Sequence, residues 1–273
     1  MSWRGGQVVL GNYFAVLTVL FLSGCFGSIS FGGSGSVKTS IGSCSPEPCV
    51  VVDISRLPEI PDSVSKDAKR IIETELRQVL YAPLDVDTTN PSQEVLLKEL
   101  EARLREYDQV SDAELNWSLT RTARVLYSDL KVVSFEVTNK GYLGGAHGFN
   151  DRTLITYDSQ TGHRLGVADV VNDSSQKVLN RVVELEFRRI RSIRADQSLQ
   201  DAGFFILPGQ ELPLGENFAL TSDGLEIQYN PYEVAPYALG ETRVHVPREA
   251  IAPLVKAELQ GVFSSSATQA LSR

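Results

Sequence analysis

From Val50 onward, apolar residues recur with a period of three to four in some stretches and of two in others. Val50, Val51, Val52 and Ile54 predict a short first strand, broken by Pro58 and Pro61. Val64, Ala68, Ile71, Ile72, Leu76, Val79 and Leu80 then fall on one helix face, with Asp62 or Ser63 as cap. A second helix is expected from Asn90 as cap, Pro91 in the first turn and Gln93 completing a capping box. Its apolar line is Leu96, Leu97, Leu100, Leu104 and Tyr107.

The period then changes to two. Leu115, Trp117 and Leu119 alternate with polar residues, as do Val133, Phe135 and Val137, with a turn near 127–129. A glycine-rich break at 141–148 precedes a strand at 153–157, and Asp158 to Gly162 reads as a hairpin turn. A third helix begins at Asn172 or Asp173 and runs through Leu179, Val183, Phe187 and Ile190. Phe218–Thr221 and Leu225–Tyr229 form a hairpin through Asp223-Gly224. A last strand, 242–246, ends at Pro247 and a short helix follows. Helices and meandering strands without alternating single crossovers predict an α+β fold: antiparallel sheet with helices packed on it, in two consecutive subdomains.

The first fifty residues have a different character. A start bearing only Arg4, an apolar stretch 13–22 and Leu22-Ser23-Gly24-Cys25 have the layout of a bacterial lipoprotein signal peptide. The apolar stretch is too short for the roughly twenty residues a spanning helix needs. Residues 1–24 are therefore expected to be removed, with Cys25 lipidated and the protein anchored in the cell envelope. In a host with two membranes, Phe26 at the next position favours the outer membrane, facing the periplasm. Residues 25–49 read as a Gly/Ser-rich tether. Cys44 and Cys49 would close a small disulfide at its end, which an exported compartment permits. The expected plan continues with subdomains at 50–140 and 141–263 and a flexible tail at 264–273.

The formal net charge is −8, and removing residues 1–24, which carry Arg4 and no acid, makes it −9. A nucleic acid is therefore an unfavoured partner and a cationic protein a suitable one. The arginines of the third helix, Arg181, Arg188, Arg189, Arg191 and Arg194, are interleaved with Glu184 and Glu186 and read as a solvated face.

Candidate chemistry centres on His147, set among Gly144, Gly145 and Gly148. It is either a base or ligand on a flexible loop, or a staple hydrogen-bonded to the backbone. The staple is preferred, because His163 and His245 stand apart from it, no zinc-motif spacing occurs, and no serine sits in a nucleophile elbow. No catalytic residue, metal or cofactor is assigned. The stretch from Asn230 to Gly240, with two prolines flanking Tyr232 and Tyr237, reads as an ordered loop whose tyrosines either make a contact surface or pack across the sheet.

Together, 144–148, the 158–162 turn, 218–225 and 230–240 resemble the C-terminal domain of a bacterial family labelled a domain of unknown function. Residues 50–140 are similar, more loosely, to the domain that usually precedes it. The pair occurs in the ectodomain of a lysozyme-sensing anti-sigma factor, in the accessory region of a peptidoglycan deacetylase, and in lipoproteins. This chain shows no sigma-binding segment and no room for a deacetylase catalytic domain, so neither activity carries over whole. The resemblance implies a non-catalytic binding module whose ligand is a lysozyme-type muramidase or peptidoglycan. Its ligand-contacting candidates are Tyr142, Gly144, Gly145, His147, Phe149, Tyr232 and Tyr237. The alternative is a cell-wall hydrolase or deacetylase-like enzyme using His147.

Overall fold

A computed structural model describes residues 30–31, 36–42, 49–84, 91–108 and 116–263. Cys25, Cys44 and the tail at 264–273 lie outside the described residues. Six strands form one sheet in chain order: β1 (Ser30–Phe31), β2 (Ser36–Gly42), β3 (Cys49–Ser55), β4 (Asn116–Ser128), β5 (Val132–Tyr142) and β6 (Phe149–Asp158). Neighbours are antiparallel except β3 and β4, which run parallel. A parallel pair needs a long crossover, and helices α1 (Lys66–Leu80) and α2 (Gln93–Asp108) occupy it.

The helices follow the expected faces; the cap of α1 differs, and Asn90, expected to cap α2, lies outside the described residues. Ser65, not Asp62 or Ser63, caps α1, its hydroxyl accepting from the Ala68 amide at 3.2 Å. Ser92 Oγ accepts from the Val95 amide at 3.2 Å at the start of α2. Ala68, Ile72, Leu76 and Leu80 of α1 and Leu96 and Leu100 of α2 are fully buried against Val50, Val52, Leu119 and Phe135 of the sheet.

Two expectations about organisation change. Within the supposed tether, Ser36–Gly42 is a full strand paired along β3, from Ser36↔Ser55 to Gly42↔Cys49. The outer edge of β3 supplies a row of backbone partners, and Ile41 packs on the core, so a Gly/Ser-rich segment can pair without burying much itself. The expected divide at 140/141 falls inside the sheet, because the glycine-rich break is the connection of the β5–β6 hairpin, with Gly141 opposite Phe149. The six-stranded sheet continues to Asp158, and nearly all of the second core lies beyond it, with Tyr127 and Val132 as its contribution from the large sheet.

That second core holds α3 (Val167–Val170), α4 (Gln176–Ile190), the antiparallel sheet β7 (Phe218–Thr221), β8 (Gly224–Tyr229) and β9 (Thr242–Pro247), and α5 (Arg248–Ile251). Leu179, Val183 and Phe187 of α4 are buried among Leu225, Ile227 and Val244. Phe187 meets Phe204 and Tyr229 edge-on, at 5.0 and 5.6 Å between centroids. The third helix, expected from Asn172 or Asp173, starts as a 3-10 turn at Asp173–Ser175 and becomes α4 at Gln176, while the Asn172 side-chain amide donates to the carbonyls of Leu254 and Val255.

The small sheet lies on the face of the large one opposite α1 and α2. Strand alternation along β5 therefore hides a second buried face: Ser134 and Glu136, which read as polar and outward, are buried. Ser134 donates to the Leu220 carbonyl at 2.6 Å, and the Leu220 amide donates to Thr156 Oγ1 at 3.0 Å. A bulge in β4 between Val125 and Tyr127 reverses the parity, so that Tyr127 joins the second core while Val125 packs on the first.

Candidate functional site

The site forms where the β5–β6 connection meets the β8–β9 connection. The first loop leaves the end of β5 just after Gly141, where a Cβ would lie 2.1 Å from the Ser118 carbonyl oxygen of β4, so β5 approaches β4 this closely only with glycine there. Gly144 and Gly145 take φ of 86° and 92°, in the left-handed region that favours glycine. Tyr142 Oη donates to the Gly145 carbonyl at 3.0 Å and holds the loop's arc. Phe149, at its far end, is half-buried and packs on the helix-side core.

The second loop is fixed by two asparagines that the sequence pattern does not mark. β6 is an edge strand. Its Arg152 amide donates to Asn230 Oδ1 at 2.9 Å, and its Leu154 amide donates to Asn217 Oδ1 at 2.6 Å. Both asparagine amides donate back to the Arg152 carbonyl. The edge is thereby covered by side chains that mimic a neighbouring strand. After Asn230 comes a tight turn: Pro231, then Tyr232 at φ 71°, closed by the Glu233 amide donating to the Asn230 carbonyl at 3.2 Å. Proline second and a positive φ third are features of a type II turn, whose third position normally holds glycine.

His147, Tyr232 and Tyr237 converge although they lie up to ninety residues apart. The imidazole stacks on Tyr237 at 3.7 Å and 16°. Its Nδ1 is 2.8 Å from the Gly148 carbonyl and its Nε2 is 3.1 Å from Tyr232 Oη. A carbonyl only accepts, so Nδ1 carries the hydrogen. In the neutral ring Nε2 then accepts from the Tyr232 hydroxyl. Tyr237 Oη donates to the same Gly148 carbonyl at 2.9 Å. Tyr232 lies beside the imidazole, tilted 30° from it, and is 59% exposed.

Of the seven candidate residues, His147, Tyr232 and Tyr237 are thus in mutual contact, Tyr142, Gly144 and Gly145 shape the loop, and Phe149 is a packing residue. Cys49 is fully buried at the start of β3 and is bonded in a disulfide. His163 and His245 are elsewhere: His163 is exposed, 3.9 Å from Asp169, and His245 Nδ1 is 2.7 Å from Glu226 Oε1. Among the described residues no group of three or more His, Cys, Asp or Glu is placed to hold a metal, and no helix is long and apolar enough to cross a membrane.

Behind the loops, between the two sheets, runs a charged network that sequence reading missed. Glu136 of β5 accepts from Arg124 of β4 at 2.9 Å and from Arg243 of β9 at 2.5 Å, and Arg243 continues to Glu226 of β8 at 3.0 Å. Burial pushes the Glu136 carboxyl up, but hydrogen bonds and charge from Arg124 and Arg243 outweigh it and hold it below its ordinary value. The network fixes how the small sheet sits on the large one, and so the angle at which the two loops meet. The arginines expected to form a solvated face on and after α4 are largely ion-paired: Arg188 with Glu184, Arg189 with Glu186, Arg194 with Asp196. Arg191 instead donates to the carbonyls of Leu239 and Gly240, bracing the end of the second loop.

Comparison with known proteins bears on this site. Residues 168–249, which include the second loop, match a family described as a protein of unknown function, DUF3298. The chain is 25% identical over 193 residues to the peptidoglycan-N-acetylmuramic acid deacetylase PdaC of Bacillus subtilis (strain 168). That alignment takes in 69% of this chain but 35% of the relative, so the chain spans about a third of the length of the curated relative it matches. A solved DUF3298 family member of Bacteroides fragilis NCTC 9343 superposes with a TM-score of 0.62 at 16% identity, covering 88% of this chain and 99% of the other. A DUF3298 family protein of Pseudomonas aeruginosa PAO1 superposes with a TM-score of 0.55 at 20% identity, covering 82% and 94%. Residues 168–249 thus match the model of the DUF3298 family, and the fold is one shared with DUF3298 proteins of solved structure.

Proposed function

We propose that this protein is a lipid-anchored binding module of the bacterial cell envelope, non-catalytic, whose ligand is peptidoglycan or a lysozyme-type muramidase. The observation that carries the binding reading is the state of His147. Both ring nitrogens already have partners, in Gly148 and Tyr232, and one face is covered by Tyr237. An imidazole so engaged serves as a pin between two loops, and loops on a rigid scaffold are where recognition is usually built. The likeness to a peptidoglycan deacetylase supports a cell-wall ligand. The net charge of −8 favours steering of a cationic muramidase, with an on-rate that falls as salt rises.

The anchoring belongs to the same proposal. Cys25 takes the lipid, and Cys25→Ala leaves the protein unprocessed; a cleaved, acylated mutant in the membrane fraction would refute this. Cys44 is the partner proposed for Cys49. The binding reading is tested with soluble protein starting after Cys25, incubated with insoluble peptidoglycan and with immobilised lysozyme. Retention on at least one is expected, and retention on neither rejects it.

A further inference from the structure

We propose that Tyr232 and His147 form a shelf that stacks against a pyranose ring of an N-acetylated amino-sugar glycan, an inference that rests on the cell-wall reading above. Tyr232 occupies a turn position suited to glycine, at φ 71°, where any side chain is strained. The residue is 59% exposed, so core packing does not account for it. Nor is it the sole tie between the loops, because Tyr237 also stacks on His147 and donates to the Gly148 carbonyl. A strained backbone that presents an aromatic ring to solvent points to a ligand outside.

The geometry suits a sugar. Tyr237 covers one face of the imidazole, so the exposure of His147 is that of its other face and edge. Tyr232 continues the surface sideways through the contact of its hydroxyl with Nε2. The axial C–H groups of a pyranose carry partial positive charge and complement the negative face of an aromatic ring. Glu233, exposed next to Tyr232 and held by the Asn230 amide at 3.2 Å, offers an acceptor for a hydroxyl or acetamido N–H. An open shelf, unlike a closed pocket, lets the glycan run on past the protein.

The probe is the soluble β-1,4-linked hexamer of N-acetylglucosamine, titrated into the chain that starts after Cys25. Ligand-dependent NMR shifts are expected for the Tyr232 and His147 rings in the unmodified protein. Tyr232→Gly relieves the turn, so its melting temperature is expected to be unchanged or higher while hexamer affinity falls about tenfold. Unshifted rings, or hexamer affinity unchanged in a folded Tyr232→Gly, overturn the shelf. If the hexamer does not bind but peptidoglycan or lysozyme does, the shelf is wrong and the binding module stands. If none of the three binds, both fall.

Discussion

Toward α1 and α2 the large sheet presents Val52, Leu119, Phe135 and Ile155, a dry apolar surface. Toward β7–β9 it presents Ser134, Glu136 and Thr156, each hydrogen-bonded to a named partner on the small sheet or its neighbour. The two faces therefore do different work. Apolar contacts are non-directional and tolerate sliding. The polar seam has geometry, and its partners are satisfied in one orientation only. The candidate site is built from loops on both sides of that seam. We read the seam as the device that sets the site's shape, at a cost in desolvation that apolar packing would avoid.

That contrast can be broken most severely at Glu136. Glu136→Ala removes the buried carboxylate that Arg124 and Arg243 both donate to, leaving Arg243 with Glu226 alone, and is expected to destabilise by about 3 kcal/mol in urea unfolding. Because the folded-state carboxyl titrates below its unfolded value, its contribution is present above the unfolded pKa of about 4.3 and is lost as pH falls through the lower folded value. The acid limb of stability should therefore shrink in the variant. An equal acid limb in both proteins would place the seam's stability elsewhere.

Asn230→Ala should have a smaller effect. It unmakes the cover over Arg152 on β6 and is expected to lower stability by about 1–3 kcal/mol. Faster amide exchange at Arg152 and through 231–240 would accompany it. Unchanged exchange at Arg152 would show that the edge is held by other means.

The smallest effect is expected at Cys44→Ser. A bridge closing so short a loop contributes about 2 kcal/mol at most. The variant should fold, and its Cys49 should become reactive only on unfolding, since that residue is fully buried. Full thiol labelling of the native wild-type protein would remove the Cys44–Cys49 pairing.

These features differ in how far the sequence reveals them. The faces of α1, α2 and α4 are visible because each buries a single stripe, which the period of 3.6 reports. The β7–β8 hairpin is visible through Asp223-Gly224. Strand β2 is not, because its partners are backbone groups and its composition is that of a linker. The burial of Ser134 and Glu136 is hidden because a strand covered on both faces by different layers, one apolar and one polar, looks half-exposed. Asn217 and Asn230 carry no signal, since an amide covering a distant strand edge looks like any loop asparagine. The glycines and His147 mark the first loop and the paired tyrosines the second, but their meeting depends on the seam between the sheets.

If the pinned His147 belongs to a binding surface, His147→Ala should weaken binding without removing any turnover. Wild type and variant, both starting after Cys25, are assayed side by side for retention on peptidoglycan and lysozyme and for release of soluble products from peptidoglycan. Weaker retention is expected for the folded variant, with no His147-dependent release by either protein. Product release by wild type that disappears in His147→Ala, with retention intact, would contradict the binding reading and establish His147 as catalytic.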